Sequence, residues 1–245
     1  KDITKKIEKF HGLVIRSRIP IDEDLIDHAK NLKFIARVGS GTENIDIEYA
    51  KKRGITILSA GEGNANAVGE HTLSLILSLF NNIIKANNEI NNNVWQREEN
   101  RGIELENKTV GIIGYGKTGK NFAKKLAGFN VKVLCNDIIE NIADDYAEQV
   151  SIDEIQSKCD IISLHTDLNK LSKHLVNTHF IDNCKKPFYL INTSRGQCVK
   201  TSDLILGIKT GKILGACLDV IENESSSFEN FEQDSYLDFL KKSEK

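Results

Sequence analysis

Three glycines near the middle of the chain have the spacing G-x-G-x-x-G, at Gly114, Gly116 and Gly119. The pattern is common by chance, but here it follows an apolar segment ending at Ile113 and precedes a helical pattern over Lys120–Ala127. There the first glycine permits a tight turn, the second lets a diphosphate approach the backbone, and the third lets a helix pack closely on a strand. The residues predict a dinucleotide-binding turn; a glycine-rich turn in another parallel-sheet protein is the alternative.

An aspartate after the next predicted strand bears on the choice of dinucleotide. Asp137 follows the strand predicted over Val131–Cys135, eighteen residues after Gly119. A carboxylate at this place accepts hydrogen bonds from both ribose hydroxyls and repels a 2′-phosphate. The sequence therefore predicts NAD rather than NADP as the cofactor, with an incidental surface acid as the alternative.

An arginine lies directly after a later apolar segment. The strand predicted over Phe188–Ile191 leads into Asn192-Thr193-Ser194-Arg195-Gly196, and ligands bind at the carboxyl ends of the strands in open parallel sheets. Hydride transfer between a nicotinamide and a hydroxy acid needs a cation that holds the substrate carboxylate and polarises the carbonyl. The planar guanidinium of Arg195 can bind a carboxylate through two hydrogen bonds. A surface arginine in a loop is the alternative.

Four segments, in order along the chain, together resemble the NAD-dependent D-isomer-specific 2-hydroxyacid dehydrogenases. They are FIARVGSGTENID (Phe34–Asp46), the glycine turn, INTSRG (Ile191–Gly196), and Leu218-Asp219-Val220 followed by Glu224. The resemblance covers nearly the whole chain and is greatest to the phosphoglycerate dehydrogenase branch of the family. It implies an enzyme that transfers a hydride between NAD and a D-2-hydroxy acid.

The resemblance also implies roles for individual residues. Arg195 matches the arginine that binds the substrate and polarises its carbonyl, and Glu224 matches the glutamate that pairs with a catalytic histidine and raises its pKa. Glu222 is the competing choice, but the spacing from Asp219 favours Glu224. Asp219 matches the residue that binds the nicotinamide carboxamide. The implied cofactor contacts are Gly114, Gly116, Lys117, Thr118, Gly119, Asp137, His165, Thr193 and Asp219.

The proton carrier of the family has no counterpart among these 245 residues. The family uses a histidine in a Pro-His-x-x-Gly segment beyond the glutamate, whereas the resemblance puts His165 in the cofactor site. The chain begins at Lys1, and a helix predicted over Tyr236–Lys242 precedes its last residue, Lys245. We therefore expect the catalytic histidine, and both ends of the substrate domain, to lie outside this sequence.

The first part of the chain carries the expected substrate contacts. The resemblance implies that backbone N–H groups of one loop bind the substrate carboxylate, namely those of Val38, Gly39, Ser40 and Gly41. Arg16 and Arg18 flank Ser17 at the end of a predicted strand, so both arginines can point to one side and bind a substrate phosphate. A pair of solvated arginines is the alternative.

The expected reaction is oxidation of D-3-phosphoglycerate to 3-phosphohydroxypyruvate, as in serine biosynthesis. Three alternatives are open. In the first, the substrate is another D-2-hydroxy acid. In the second, the protein is a corepressor-like sensor that binds NAD(H) and a partner peptide. In the third, it is an inactive paralogue.

Apolar segments alternate with helical patterns, which predicts an α/β fold of two Rossmann-like domains with parallel sheets flanked by helices. We expect an incomplete substrate-binding domain over residues 1–72 and an NAD-binding domain with the linker helix over residues 73–245. One long apolar helix over Ala67–Ala86 joins them, and Asn87–Asn107 forms an exposed connection. In the family this region packs against a second subunit, so we expect a homodimer. The predicted strands are Gly12–Ile15, Phe34–Val38, Ile55–Leu58, Thr109–Ile113, Val131–Cys135, Asp160–Leu164, Phe188–Ile191 and Leu214–Leu218.

Composition excludes several classes of protein. Lys+Arg 33 against Asp+Glu 35 gives a net charge of −2, which argues against nucleic acid or an anionic membrane as the partner. The longest apolar stretch, Leu73–Phe80, is far shorter than the roughly 20 residues of a membrane span. Five widely spaced cysteines without a C-x-x-C pair predict reduced thiols in a cytoplasmic protein and no metal site.

Overall fold

The computed structural model describes residues 3–223. Their contacts divide the chain into a first unit that ends at Ala65 and a second unit that begins at Asn66. This division lies within one helix, as does the predicted domain boundary after residue 72. The predicted catalytic Glu224 and the helix predicted over Tyr236–Lys242 lie outside the described residues.

The first unit is a three-stranded parallel sheet, in the order β1-β2-β3, with its helices in the connections. Its two helices begin where the sequence offers a capping aspartate, because the side chains of Asp22 and Asp46 accept hydrogen bonds from backbone amides of the first turn. The register pairs Ile15 of β1 with Arg37 of β2, so the carboxyl ends of these strands are neighbours. The elements are β1 (Gly12–Ile15), α1 (Glu23–His28), β2 (Phe34–Arg37), α2 (Ile47–Lys52) and β3 (Thr56–Ser59).

The second unit is a six-stranded parallel sheet in the order β6-β5-β4-β7-β8-β9. Strand order reverses beside β4, and ligand crevices of open α/β sheets form at such a switch point. The strands are β4 (Thr109–Ile113), β5 (Lys132–Asn136), β6 (Glu148–Gln149), β7 (Ile161–Leu164), β8 (Phe188–Asn192) and β9 (Ile213–Leu218). The helices between them are α5 (Lys117–Leu126), α6 (Ile152–Lys158), α7 (Thr178–Asn183) and α8 (Thr201–Lys209).

The central strands of this sheet are covered on both faces. All four residues of β7 are buried, and two apolar clusters of the second unit contain residues from alternate positions of β4, β7 and β8. A strand that is buried on both faces has a continuous apolar sequence rather than an alternating one. The prediction of an α/β fold with parallel sheets is confirmed.

The prediction of one helix over Ala67–Ala86 is wrong. Two helices cover this region, α3 (Gly61–Phe80) and α4 (Ile83–Asn91), and Asn82 between them has a φ of 52°. A residue in the left-handed conformation ends a right-handed helix, and asparagine tolerates that conformation better than most side chains. Because α4 continues to Asn91, the exposed connection begins later than Asn87. Across residues 3–223, no helix combines the length and the apolar character that crossing a bilayer requires.

Candidate active site

The glycine turn joins β4 to α5 as predicted. Gly114 has a φ of 88°, which favours glycine, and a Cβ there would press on the backbone of His165. A Cβ at Gly119 would collide with the carbonyl oxygen of Gly114, so helix and turn are in direct contact. No side chain caps α5 at Gly116. Amides at the start of a helix are a favourable environment for an anion.

A cavity of about 480 Å³ lies beside this turn at the carboxyl edge of β4, β5 and β7. Gly116 lines it, and a Cβ on Gly116 would have open space around it rather than protein atoms. A diphosphate therefore has room to approach the backbone at this residue. The other residues around the cavity include Asp137, Ile138, Ile139, His165, Asp167 and Leu175. Apolar walls with a carboxylate after β5, that of Asp137, fit the adenosine part of NAD.

Asp137 is held in place at the wall of this cavity. Its Oδ2 accepts a hydrogen bond from the backbone N–H of Tyr115 at 2.6 Å, and its Oδ1 accepts one from the N–H of Ile139 at 3.0 Å. An ionised carboxylate has about four acceptor positions, so ribose hydroxyls can still be bound.

Tyr115 lies between the first two glycines of the turn and holds the turn in place through a buried side chain. It was not among the predicted site residues. The ring is fully buried, and its hydroxyl donates a hydrogen bond to Asp144 at 2.7 Å. Burial and this hydrogen bond raise the pKa of the phenol. Because Asp144 lies far along the chain in an irregular segment, no spacing in the sequence indicates the contact.

His165 follows β7 and lies against the cavity with only 9% of its surface exposed. Its Nε2 is 2.9 Å from the hydroxyl oxygen of Ser163, and its ring stacks on Phe122. Burial lowers the pKa of the imidazole to about 3, so the ring is neutral at physiological pH. A neutral, buried ring suits a cofactor contact and does not suit a proton carrier.

We expect His165 to make the fold sensitive to acid. The unfolded imidazole has a pKa of about 6.5, so between pH 6.5 and 3 the unfolded chain binds a proton that the folded chain does not. The free energy of unfolding should therefore decrease as the pH is lowered from 6.5 to 3, by about 1.4 kcal/mol per pH unit for one proton. Urea titrations at several pH values should show a shallower dependence for His165→Gln. His179→Gln, at an exposed position, is the control, and equal slopes for wild type and His165→Gln would contradict the expectation.

The Arg195 loop at the carboxyl end of β8 is organised by one buried asparagine. The Asn192 side chain accepts hydrogen bonds from the backbone N–H and hydroxyl of Ser194, and it donates one to the carbonyl of Arg195 at 3.0 Å. The Arg195 guanidinium donates to the Ser194 carbonyl at 2.8 Å. These hydrogen bonds give the loop a defined shape. Arg195 is half-buried and lies at the carboxyl edge of the sheet.

Helix α3 supports two of the predicted cofactor contacts. The hydroxyl oxygens of Thr72 and Thr193 are 3.0 Å apart, and Nε2 of His71 is 3.0 Å from Oδ1 of Asp219. The N–H of Asp219 also donates to the Asn192 carbonyl at 3.0 Å. The ends of β8 and β9 are therefore tied to each other and to consecutive residues of one helix.

Glu222, the competing choice for the catalytic glutamate, is engaged elsewhere. Its Oε1 is 2.6 Å from Nε2 of His174, and its Oε2 accepts a hydrogen bond from the Thr201 N–H at 2.8 Å. Burial raises the pKa of Glu222, but the hydrogen bonds from Thr201 and His174 outweigh it, so the pKa is lower than usual.

The predicted substrate residues of the first unit follow β1 and β2, which are neighbours. Gly39 has a φ of 141°, and a Cβ there would collide with the guanidinium of Arg37. Nη1 of Arg37 donates to the Val38 carbonyl at 2.9 Å, while its Nε is buried without a partner among the described residues. Arg37 was not among the predicted site residues, although its place directly before the Val38–Gly41 loop was a usable signal. The side chain of Asn44 donates to the Arg16 carbonyl at 3.2 Å and so fixes the other loop.

Comparison with protein families decides the classification. Residues 73–238 match the model of the NAD-binding domain of D-isomer-specific 2-hydroxyacid dehydrogenases. The chain belongs to this dehydrogenase family. The match covers the glycine turn, Asp137, Arg195 and Asp219, and it confirms the prediction of an NAD-binding domain.

Relatives of the chain carry several names. The chain is 33% identical over 235 residues to D-3-phosphoglycerate dehydrogenase of Archaeoglobus fulgidus, covering 94% of the chain and 44% of the relative. It is 38% identical over 233 residues to glyoxylate reductase of Thermofilum pendens, covering 91% and 68%. The chain thus spans less than half of the first relative's length.

A solved structure with the same fold contains the cofactor. D-Lactate dehydrogenase of Aquifex aeolicus, complexed with NAD and lactic acid, is 30% identical, with a TM-score of 0.84 over 97% of this chain and 74% of that one. The roles of the individual residues in this chain stay predictions. Within the second unit, the structure brings Thr193, Arg195 and Asp219 to the same edge of the sheet as the glycine turn and His165.

Proposed function

We propose that the chain supplies the dinucleotide site and part of the substrate site of an NAD-dependent dehydrogenase that acts on a D-2-hydroxy acid. One observation carries the proposal. Arg195, at the end of β8, and the glycine turn, at the end of β4, lie at one edge of a sheet in which only β7 separates the two strands. The family match supports the reaction class.

Each residue has a place in the proposed mechanism. The glycine turn and Asp137 would hold the dinucleotide, and Thr193 and Asp219 would contact its nicotinamide end. NAD held there would supply the hydride-accepting chemistry of the oxidation, and NADH the hydride-donating chemistry of the reverse reaction. Arg195 binds the substrate carboxylate, polarises the carbonyl and stabilises the negative charge that develops on its oxygen.

A separate group must carry the hydroxyl proton. The buried, neutral ring of His165 does not suit this task. We propose that a histidine beyond Glu224 does so, as the family resemblance implies, with Glu224 raising its pKa. Glu224 itself lies outside the described residues.

For the substrate we propose D-3-phosphoglycerate, in the reaction of serine biosynthesis. Arg16 and Arg18 follow the end of β1 and would supply cations for a phosphate. Arg37, at the end of the neighbouring strand β2, adds a third cation at this edge of the sheet. The loop from Val38 to Gly41 and the side chain of Ser17 would contact the substrate.

A substrate panel tests the proposal. NADH absorbance should rise when the full-length gene product receives NAD and D-3-phosphoglycerate, and it should rise less with D-lactate or D-glycerate. Turnover of another acid in the panel would replace the substrate but keep the reaction class. Binding of NADH without turnover of any acid would contradict the dehydrogenase function and favour a sensor or an inactive paralogue.

We also propose a homodimer that forms through the surface of α4 and the segment after it. Ile90 is 50% exposed and Trp95 is 78% exposed, beside a small cavity that both residues line. Val94 lines the same cavity and is also exposed. Large exposed apolar patches mark association sites.

Light scattering should show twice the chain mass at micromolar concentration. Ile90→Glu should halve that mass, because it places a charge in the apolar interface. Leu206→Glu, which alters a residue of similar exposure (51%) on α8, should leave the dimer intact. A monomeric wild-type protein would overturn the proposal.

The cysteines bear on the compartment. All five are free and buried in the structure, and reduced thiols are typical of the cytoplasm. We therefore propose a cytoplasmic enzyme.

A further inference from the structure

Glu222 connects two loops and the start of a helix at the edge of the sheet that carries Arg195. Its two carboxylate oxygens have separate partners, the imidazole of His174 at 2.6 Å and the backbone N–H of Thr201 at 2.8 Å. Only 21% of the Glu222 side chain is exposed, so solvent screens these contacts weakly. The carboxylate is held in one orientation.

His174 is constrained in turn by the segment that follows Arg195. Its backbone N–H donates to the carbonyl of Gln197 at 2.8 Å, and the N–H of Val176 donates to Cys198 at 3.0 Å. Gln197 and Cys198 belong to a short 3-10 helix (Gly196–Cys198) that begins directly after Arg195. His174 also has a φ of 52°, a conformation that a non-glycine residue keeps only when its surroundings impose it.

The chain leaving β9 packs on the same turn. A Cβ on Gly196 would collide with the carbonyl of Ile221, so the two backbones are in contact at this point. Ile221 immediately precedes Glu222, and Gly196 immediately follows Arg195. A shift of Glu222 would therefore be transmitted through one backbone contact to the loop that carries Arg195.

We propose that Glu222 is a positioning residue, which holds the Ile221 backbone against Gly196 through His174 and the Thr201 amide and so keeps Arg195 aimed at the substrate carboxylate. The inference rests on the proposed function, in which Arg195 binds that carboxylate. It also gives Glu222 a task different from the one expected of Glu224. Both carboxylates are used, one to shape the site and one to pair with the proton carrier.

Steady-state kinetics of Glu222→Gln, His174→Asn and the double variant test this inference in the full-length protein. A glutamine cannot accept hydrogen bonds with both of its terminal atoms, and an asparagine tolerates the left-handed backbone of His174 but is too short to reach Glu222. Each single variant should lower kcat/KM about 10- to 100-fold, the effect expected of a misplaced catalytic group. The KM for the hydroxy acid should rise, and the dissociation constant of NADH should stay unchanged. The double variant should be no worse than either single variant, because both remove the same contact.

Asp203→Asn provides the matched control. Asp203 lies in α8, the helix whose first residue, Thr201, donates to Glu222. Like Glu222, it accepts a hydrogen bond from a backbone amide, that of Thr178 at 2.8 Å, but this contact ties α8 to α7. We expect Asp203→Asn to lower the melting temperature without changing KM for the acid. Equal kinetic effects of Asp203→Asn and Glu222→Gln, or a parallel loss of NADH affinity in Glu222→Gln, would overturn the inference in favour of general scaffolding. A fully active Glu222→Gln in an active wild-type background would overturn the inference alone, whereas a wild-type protein without turnover would overturn the proposed function and the inference together.

Discussion

Replacement of Arg195 by lysine is expected to lower turnover about 100- to 1,000-fold, which is the usual cost of losing one preorganised donor to a developing oxyanion. Lysine keeps the positive charge but not the planar pair of donors that binds a carboxylate in one orientation. The loop itself should survive, because Asn192 holds it through the backbone carbonyl of Arg195. Stopped-flow or steady-state absorbance of NADH measures the effect in the full-length protein.

Binding data separate this effect from a damaged cofactor site. NADH should bind Arg195→Lys within a few-fold of the wild-type affinity, since the glycine turn lies on β4 rather than β8. Arg101→Lys is the control. Arg101 is exposed and forms an ion pair of 2.8 Å with Glu98, and neither residue belongs to the Arg195 loop. Wild-type turnover in Arg195→Lys would remove Arg195 from the mechanism.

Gly116→Ala is expected to abolish cofactor binding without disturbing the fold. Gly116 has a φ of −80°, which alanine adopts readily, and a Cβ there would meet no protein atom within 4 Å. The methyl group would instead occupy the space through which a diphosphate approaches the turn. We expect the dissociation constant of NADH to rise at least about 100-fold, or about 2.7 kcal/mol, by isothermal titration calorimetry.

Gly128→Ala is the matched control for this experiment. A Cβ on Gly128 also has open space around it, but Gly128 follows the end of α5 and does not line the cofactor cavity. Both variants should keep the wild-type melting temperature without cofactor. NADH affinity that is equally high in both would show that the cavity beside Gly116 is not the dinucleotide site.

The parallel sheets were the most predictable part of the fold. Strands that are buried on both faces have short, continuous apolar sequences, which can be recognised without a structure. β4 accordingly has the predicted limits, Thr109–Ile113. The glycine turn was equally readable, because its spacing follows from local backbone geometry. β1 also has its predicted limits, whereas β6 was not predicted. The other strands differ from prediction by one residue at their ends, where hydrogen bonding rather than apolarity sets the limit.

The contacts that shape the site were not predictable in the same way. Tyr115 and Asp144 are separated by 29 residues, and His174 and Glu222 by 48, so no periodic pattern relates them. The break between α3 and α4 depends on the left-handed backbone of Asn82, which hydrophobic periodicity does not register. The choice between Glu222 and Glu224 could be argued from spacing, but the partners of Glu222 were visible only in three dimensions.

The exposed position of Trp95 has a practical consequence for spectroscopy. It is the single tryptophan of the chain, and it lies after α4, outside the set of residues around the cofactor cavity. Its fluorescence emission should therefore report the polarity of the α4 surface, with a blue shift when a second subunit covers the indole. The chain therefore carries an optical probe for the proposed subunit association, and a dilution series would follow dissociation of such a dimer without any added label.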